Sequence, residues 1–143
     1  CAQYPVLCPL VSIEFGDGVL VVECEQMVSA AQDLKNLGFD RLGMLTAVDR
    51  GETFEMVYRL TSRSMSAGIF LKCHVPRENP VTQSLCSLWP AANWQEREVY
   101  DMFGISFEGH PDLRRILLPP EWEGHPLRKD YEDDRIVRRP DYI

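Results

Sequence analysis

The sequence predicts an α+β fold: a two-layer domain with a mixed β-sheet of about five strands and two to three helices, followed by an extended Pro-rich C-terminal tail. Three patterns support it: runs that alternate apolar and polar residues, runs with apolar residues three and four apart, and prolines that recur after residue 104. A chain of 143 residues buries enough surface for one core. We therefore expect one domain, with its α+β part in residues 1–104 and an extended docking segment in residues 105–143.

The strands are predicted from runs whose side chains point alternately to two faces. These runs cover residues 11–15, 19–24, 42–48, 53–60 and 67–75. Gly16-Asp17-Gly18 predicts a hairpin between the first two runs, and the turn at Arg50-Gly51-Glu52 predicts that the third and fourth pair antiparallel.

Helices are predicted in three places. Apolar residues three and four apart indicate a helix over residues 26–37, and Asn79-Pro80 indicates the start of a short second one. The third helix covers residues 94–103, where Asn93 is expected to cap the N-terminus and Glu96 to complete a capping box.

Composition excludes several classes of function. The formal charge of −7 disfavours nucleic acid, and no apolar stretch approaches the roughly 18 residues that span a bilayer. Five cysteines without a CxxC pair predict neither a disulfide framework nor an iron–sulfur site, but free thiols in a reducing compartment, the cytoplasm. Because residue 1 is Cys rather than Met, we expect the native chain to begin further upstream.

Charged residues are densest in the third helix. Glu96 and Glu98 are two residues apart, hence about 200° apart around the helix, and cannot serve one substrate jointly. Glu98 and Asp101 share a face. The structural interpretation is that Glu96 caps the helix, Arg97 pairs with Asp101 and Glu98 meets a cation elsewhere.

Two later segments each join Gly-His-Pro to a basic pair, at Gly109–Arg115 and Gly124–Lys129. Their histidines, His110 and His125, are candidate metal ligands together with Glu98 and Asp101. The basic pairs form either an internal salt-bridge network or a set of contacts to a partner's carboxylates.

The residues from Trp94 to Ile105, Gly109 to Leu117 and Gly124 to Tyr131 resemble, in order, the 30 kDa (C or J) subunit of the proton-pumping NADH:quinone oxidoreductase, respiratory complex I. The resemblance covers nearly all of residues 94–131 and is looser upstream. The positions that carry the family motif are Glu96, Arg97, Glu98, Asp101, Gly104, His110, Arg114 and Arg115.

The resemblance implies a cofactor-free subunit of the hydrophilic arm, on the cytoplasmic side of the membrane, bound to the 49 kDa (D) subunit that forms much of the quinone site. Iron–sulfur clusters, FMN and quinone would belong to partner subunits. The tail from Pro119 to Ile143 is expected to be a docking strap whose order depends on its partner. The residues expected to bind that partner are Arg114, Arg115, Trp122, Leu127, Arg128, Lys129 and Tyr131.

Three other functions remain open from the sequence. Related modules serve membrane-bound [NiFe] hydrogenases and other relatives of complex I, and the motif alone does not separate them. A free-standing metal-dependent hydrolase would use Glu98, Asp101, His110 and His125. A homo-oligomeric binding module is the third.

Overall fold

The computed structural model describes residues 11–14 and 16–135. The described elements are β1 (Val11–Glu14), β2 (Asp17–Val21), a 3₁₀ turn (Cys24–Gln26), α1 (Met27–Leu37), β3 (Arg41–Asp49), β4 (Thr53–Ser62), β5 (Ala67–Pro76), β6 (Val81–Gln83), α2 (Ala92–Phe103) and β7 (Ser106–Glu108). Phe15, which the sequence places in the first strand, lies outside the described residues, as do Cys1 and Cys8.

Five strands form one mixed sheet in the order β1-β2-β5-β4-β3. The pairs β1–β2, β4–β5 and β3–β4 are antiparallel, and β2 pairs with β5 in parallel. The predicted hairpin and the predicted antiparallel pair are therefore confirmed. The fold class is also confirmed, since two helices and a second, two-stranded sheet complete the α+β domain.

The core lies between one face of the sheet and the two α-helices. Phe54, Met56, Tyr58 and Leu60 alternate along β4 and are fully buried, whereas Arg59 on the opposite face is partly exposed. The buried side of α1 supplies Met27, Ala30, Ala31 and Leu34, and that of α2 supplies Ala92, Val99, Met102 and Phe103. Burying each large apolar side chain contributes about 1.5–3 kcal/mol, so this interface accounts for much of the stability of the domain.

The predicted short helix at Asn79-Pro80 is wrong. Val81–Gln83 instead forms the strand β6, which pairs in parallel with Ser106–Glu108. The N–H of Ser106 also donates to the carbonyl of Pro80. A three-residue strand of this kind is specified by its partner, which follows α2 in sequence, so tertiary pairing overrides the local signal of a cap followed by proline.

The predicted cap of α2 is also wrong. The helix begins at Ala92, with Ala91 before it, so Asn93 lies inside the first turn and caps nothing. Gln95 in the same turn accepts a 2.7 Å hydrogen bond from the N–H of Leu45 on the edge strand β3. This contact satisfies a backbone donor that the edge of the sheet leaves unpaired.

In the described part of the C-terminal segment, residues 109–135, turns and bends replace helix and strand. The segment nevertheless makes backbone hydrogen bonds to the domain: the N–H of Leu127 donates to the carbonyl of Met102 at 3.0 Å. Gly104 ends α2 with a φ of 75°, and a Cβ there would lie 2.7 Å from Cδ2 of His125 and 2.9 Å from a guanidinium nitrogen of Arg128. Glycine at this position therefore permits the close approach of the segment.

Gly104→Ala is predicted to lower the free energy of unfolding by about 2 kcal/mol more than Gly51→Ala. Both glycines have positive φ, 75° and 91°, but nothing lies within 4 Å of the Cβ position at Gly51. The control thus isolates the cost of displacing His125 and Arg128. Urea unfolding of the three proteins measures it, and equal losses in the two variants would contradict the steric explanation.

Candidate functional site

Asp101 on α2 is the centre of the charged motif. Its side chain is fully buried, and Oδ1 accepts a 2.6 Å hydrogen bond from the guanidinium of Arg115. Oδ2 accepts the N–H groups of Ile116, Leu117 and Leu118 at 3.2, 2.8 and 2.9 Å. One carboxylate therefore holds four consecutive residues of the C-terminal segment against the helix.

Burial alone would raise the pKa of Asp101. The hydrogen bond from Arg115 and the three backbone N–H groups outweigh burial, however, and the pKa of Asp101 is lowered. The carboxylate is therefore charged at neutral pH and each of its oxygens has a donor. Removing one partner of such a buried pair is strongly destabilising, because the remaining charge is then buried without compensation.

Arg97 does not pair with Asp101, contrary to the prediction from helical spacing. Its guanidinium instead donates to the backbone carbonyls of Arg114 and Arg115, each at 3.1 Å. Asp101 pairs with Arg115 from the segment beyond the helix. The two charged residues of α2 thus hold the same stretch of chain, one through its N–H groups and the other through its carbonyls.

Glu96 is buried and does not cap α2. Its Oε1 accepts the N–H of Leu85 and its Oε2 accepts the hydroxyl of Ser84, both at 2.7 Å. Burial raises the pKa of Glu96 despite these hydrogen bonds. Through these two hydrogen bonds, Glu96 fixes the loop after β6 to the helix.

Glu98 lies on the opposite, exposed side of the helix, as the spacing predicted, and among the described residues it forms no ion pair.

The imidazole of His110 lies close to the carboxylate of Glu96 and the thiol of Cys86. Donor atoms of Cys86, Glu96 and His110 lie within 4.8 Å of one another, a distance that suits a metal ion. Nδ1 of His110 accepts the N–H of Asp112 at 2.9 Å, so the ring hydrogen lies on Nε2, which donates to the carbonyl of Asn93 at 3.0 Å. This tautomer leaves neither ring nitrogen available, and we interpret the cluster as a hydrogen-bonded anchor.

The four residues of the metal-hydrolase hypothesis are used differently. Asp101 is saturated by Arg115 and backbone donors, and Glu98 faces away into solvent. Nδ1 of His125 lies 2.9 Å from the carbonyl of Asp101, not from its carboxylate. Within residues 16–135, the potential metal ligands that converge with His110 are therefore those of Cys86 and Glu96, and not those of the other three residues.

Asp49, at the end of β3, is a second buried carboxylate that sequence analysis missed. Its Oδ2 accepts hydrogen bonds from the guanidinium of Arg77, the shorter at 2.7 Å, and from the N–H of Lys129 at 2.9 Å. Its Oδ1 accepts the N–H of Gly51. Burial would raise the pKa of Asp49, but these N–H groups and the charge of Arg77 lower it. The only sequence signal is an aspartate where a polar turn follows a strand.

Arg128 completes this second attachment. Its guanidinium donates to the carbonyl of Phe103 and lies 5.2 Å from the ring centroid of Phe54. Arg77 stacks on the same ring at 4.9 Å. The described C-terminal segment is thus fastened to its own domain at two buried carboxylates. The dependence of its order on a partner stays a prediction.

The other residues expected to bind a partner have different environments. Trp122 is half-buried beneath the guanidinium of Arg135, 4.2 Å from its ring, and the hydroxyl of Tyr131 donates to Asp133. Arg114 is exposed beside Asp112. Leu127 is 54% exposed. Their role in binding a partner stays a prediction.

Two further apolar side chains are exposed on the motif itself. Trp94 on α2 is 71% exposed and Leu117 is 61% exposed. Asp101 lies two helical turns beyond Trp94, about 10 Å along the helix axis, and its carboxylate accepts the N–H of Leu117. Trp94 and Leu117 are the two most exposed large apolar side chains in the part of the chain that the structure describes, which makes them candidates for contact with a partner protein.

Comparison with known proteins identifies the family of the chain. The family described as "Respiratory-chain NADH dehydrogenase, 30 Kd subunit" matches residues 20–136. The C subunit of the NADH-quinone oxidoreductase of Moorella thermoacetica is 48% identical over 126 residues, which are 83% of this chain and 85% of that protein. The chain therefore belongs to the family of 30 kDa subunits of respiratory-chain NADH dehydrogenase, which are peripheral-arm components of NADH:quinone oxidoreductases.

A longer relative and one solved structure agree with this assignment, and a second solved structure shares the fold. The combined C/D subunit of the NADH-quinone oxidoreductase of Methylococcus capsulatus is 47% identical over 97 residues, 61% of this chain and 16% of that protein. A structure of a trypsin-resistant fragment of Nqo5 is 34% identical, with a TM-score of 0.68, and covers 73% of this chain and 89% of that one. A chain of a membrane-bound sulfane sulfur reductase, 24% identical, shares the fold with a TM-score of 0.81 over 99% of this chain and 91% of its own.

Arg115→Ala is predicted to lower the free energy of unfolding by about 3 kcal/mol, because it leaves the buried Asp101 carboxylate without its cation. Arg114→Ala is the matched control. Arg114 is the neighbouring arginine, its side chain is 71% exposed against 13% for Arg115, and it pairs with an exposed carboxylate. Its loss should change stability by less than about 0.5 kcal/mol. Chemical denaturation measures the free energy of unfolding of each variant. Equal losses in the two variants would contradict the stabilising role of the Arg115–Asp101 pair.

The effect of Glu96→Gln on stability is predicted to depend on pH. Because burial raises the folded-state pKa of Glu96, its favourable contribution is complete below its unfolded pKa of about 4.3 and is lost as pH rises through the folded value. The stability of the parent chain relative to Glu96→Gln should therefore fall between pH 4 and pH 8. Thermal unfolding across this range measures it, and a difference independent of pH would refute the assignment.

Proposed function

We propose that this chain is a cofactor-free structural subunit that docks on the 49 kDa (D) subunit, at the cytoplasmic side of the membrane, and supports the assembly through which electrons pass from NADH to quinone. Its mechanism is rigidity: the domain and its fastened C-terminal segment present one fixed surface. Clusters, flavin and quinone belong to neighbouring subunits. The proposal goes beyond membership of the family in naming the partner, the side of the membrane and the absence of a cofactor.

The observation that carries the proposal is the exposure of Trp94 and Leu117 on a rigid support. Rigid aromatic side chains dominate binding energy where they become buried at the centre of an interface. Asp101 fixes the backbone beneath Leu117 through hydrogen bonds, so little flexibility would be lost on docking. Leu127, also exposed, lies on the segment that the same carboxylate and Asp49 hold down.

The choice of the D subunit rests on the relative whose name joins C with D. Fusion into one polypeptide keeps two domains adjacent at high effective concentration, as expected for chains that form a common interface. The motif carboxylates support a structural role here, since Glu96 and Asp101 have their hydrogen-bonding capacity occupied within the domain.

Membrane contact, in this proposal, belongs to other subunits. Across the described range no helix is both long and apolar enough to cross a bilayer. The cytoplasmic side is inferred from the resemblance to the hydrophilic arm.

Replacing Trp94 and Leu117 together by alanine is predicted to weaken binding to the D subunit of the same organism by at least about tenfold, because one buried aromatic anchor contributes about 2 kcal/mol or more. The thermal midpoint should stay close to that of the parent chain, since both side chains are exposed. The dissociation constant is measured by calorimetry or by interferometry with immobilised D subunit.

Met65→Ala serves as the matched control. Met65 is 48% exposed in the turn between β4 and β5, and its loss should leave binding unchanged. Wild-type affinity in the double variant would remove Trp94 and Leu117 from the interface, and failure of the parent chain to bind would overturn the choice of partner. Flavin or cluster absorbance in the purified chain would contradict the cofactor-free assignment.

A further inference from the structure

Two thiols lie together where β2 ends. The N–H of Val22 donates to the carbonyl of Lys72 at 2.9 Å, which extends the parallel pairing of β2 with β5. Two residues later, Sγ of Cys24 donates to the carbonyl of His74, also at 2.9 Å. This places the Cys24 thiol against the backbone of the residue that follows Cys73, and the two thiols influence each other's pKa. Both are free thiols.

The two cysteines differ in exposure. Cys24 is half-buried and lines a cleft of about 300 Å³ together with Glu23, Glu25 and His74. Cys73, on the core face of β5, is completely buried. A small molecule that enters the cleft therefore meets Cys24, whereas Cys73 does not line the cleft.

Their acidities differ in the same sense. The hydrogen bond from the Cys73 thiol lowers the pKa of Cys24, against the opposing effects of burial and of the carboxylates of Glu25 and Glu23. The same hydrogen bond, with burial, raises the pKa of Cys73. Burial raises the pKa of Cys86 to about 11. Cys24 therefore has the features of an attacking thiol, because it lines the cleft and its pKa is lowered, whereas Cys73 is buried behind it.

We propose that Cys24 and Cys73 form a reversible dithiol site that hydrogen peroxide oxidises to a disulfide. The Cys24 thiolate attacks one peroxide oxygen, the O–O bond breaks and hydroxide leaves, which takes up a proton to become water. The Cys24 sulfenic acid then condenses with the Cys73 thiol, an S–S bond forms and a second water is released. Peroxide gains the two electrons that the thiols lose.

The acidic mouth of the cleft selects the oxidant. Glu23 and Glu25 flank Cys24, and both side chains are exposed. Their carboxylates repel anionic oxidants such as glutathione disulfide, whereas hydrogen peroxide is neutral and small. The cleft shares no residue with the docking positions Trp94 and Leu117, and it adds a redox response to a chain whose proposed role is structural.

The test uses the full chain with Cys1 and Cys8 replaced by serine, so that three thiols remain. Limited hydrogen peroxide should remove two hydrogens from the intact mass, and peptide mapping should find Cys24 linked to Cys73; dithiothreitol should reverse both changes. Cys24 should react at least about tenfold faster than Cys86, given their pKa order and the lower nucleophilicity that partly offsets it.

Two variants separate the steps. Cys73→Ala should leave a Cys24 sulfenic acid that dimedone traps, and Cys24→Ala, which changes the more exposed thiol, should leave Cys73 reduced. Circular dichroism checks that each variant is folded. A linkage that includes Cys86, a persistent dimedone adduct in the parent chain, or oxidation of Cys24 no faster than of Cys86 would each overturn the proposal.

Discussion

The buried carboxylate of Asp101 is the constraint on which the rest of the motif depends. A charge with no exposure to water is tolerable only when donors satisfy both oxygens, and here one guanidinium and three consecutive N–H groups do so. Those donors belong to a segment that contains no helix or strand of its own in the described range. The carboxylate therefore satisfies the backbone of that segment, and the segment neutralises the carboxylate. Arg97 adds the complementary contacts to carbonyls on the same stretch.

Asp49 repeats the arrangement at the far end of the segment. It too is buried, is paired with an arginine and accepts a backbone N–H, that of Lys129. Both carboxylates have lowered pKa values, so their contribution to stability is present above an unfolded pKa of about 3.9 and is lost as pH falls through the folded values. The pKa of Glu96 shifts in the opposite direction because its donors are neutral and burial outweighs them. The direction in which the pKa of a buried acid shifts thus follows, for these three residues, the presence or absence of an arginine partner.

Local patterns in the sequence located the strands of the main sheet and both α-helices, but not the strand order or the parallel pairing of β2 with β5. Alternation located β3, β4 and β5, because one face of each strand packs on the core, and the sequence also placed Glu96 and Glu98 on opposite sides of α2. Patterns failed where a partner distant in sequence decides the structure. The strand β6 depends on β7 beyond the helix, and Asp101 pairs with Arg115, fourteen residues away, rather than with the neighbouring Arg97. Helical spacing shows which side chains are close within the helix but not which donors the rest of the fold supplies.

The density of charged residues in the motif suggested a catalytic or metal site. In the structure, however, most of these side chains form hydrogen bonds and ion pairs within the domain. Glu96, Arg97, Asp101 and Arg115 are engaged with backbone or with each other. Apolar packing alone would hold this segment weakly, because Leu117 and Leu127 are exposed and Trp122 is only half-buried. Ionic anchors fix the backbone and leave those apolar side chains on the surface. A segment held by buried carboxylates can therefore be rigid and still present apolar groups outward, which is the property that a docking protein requires.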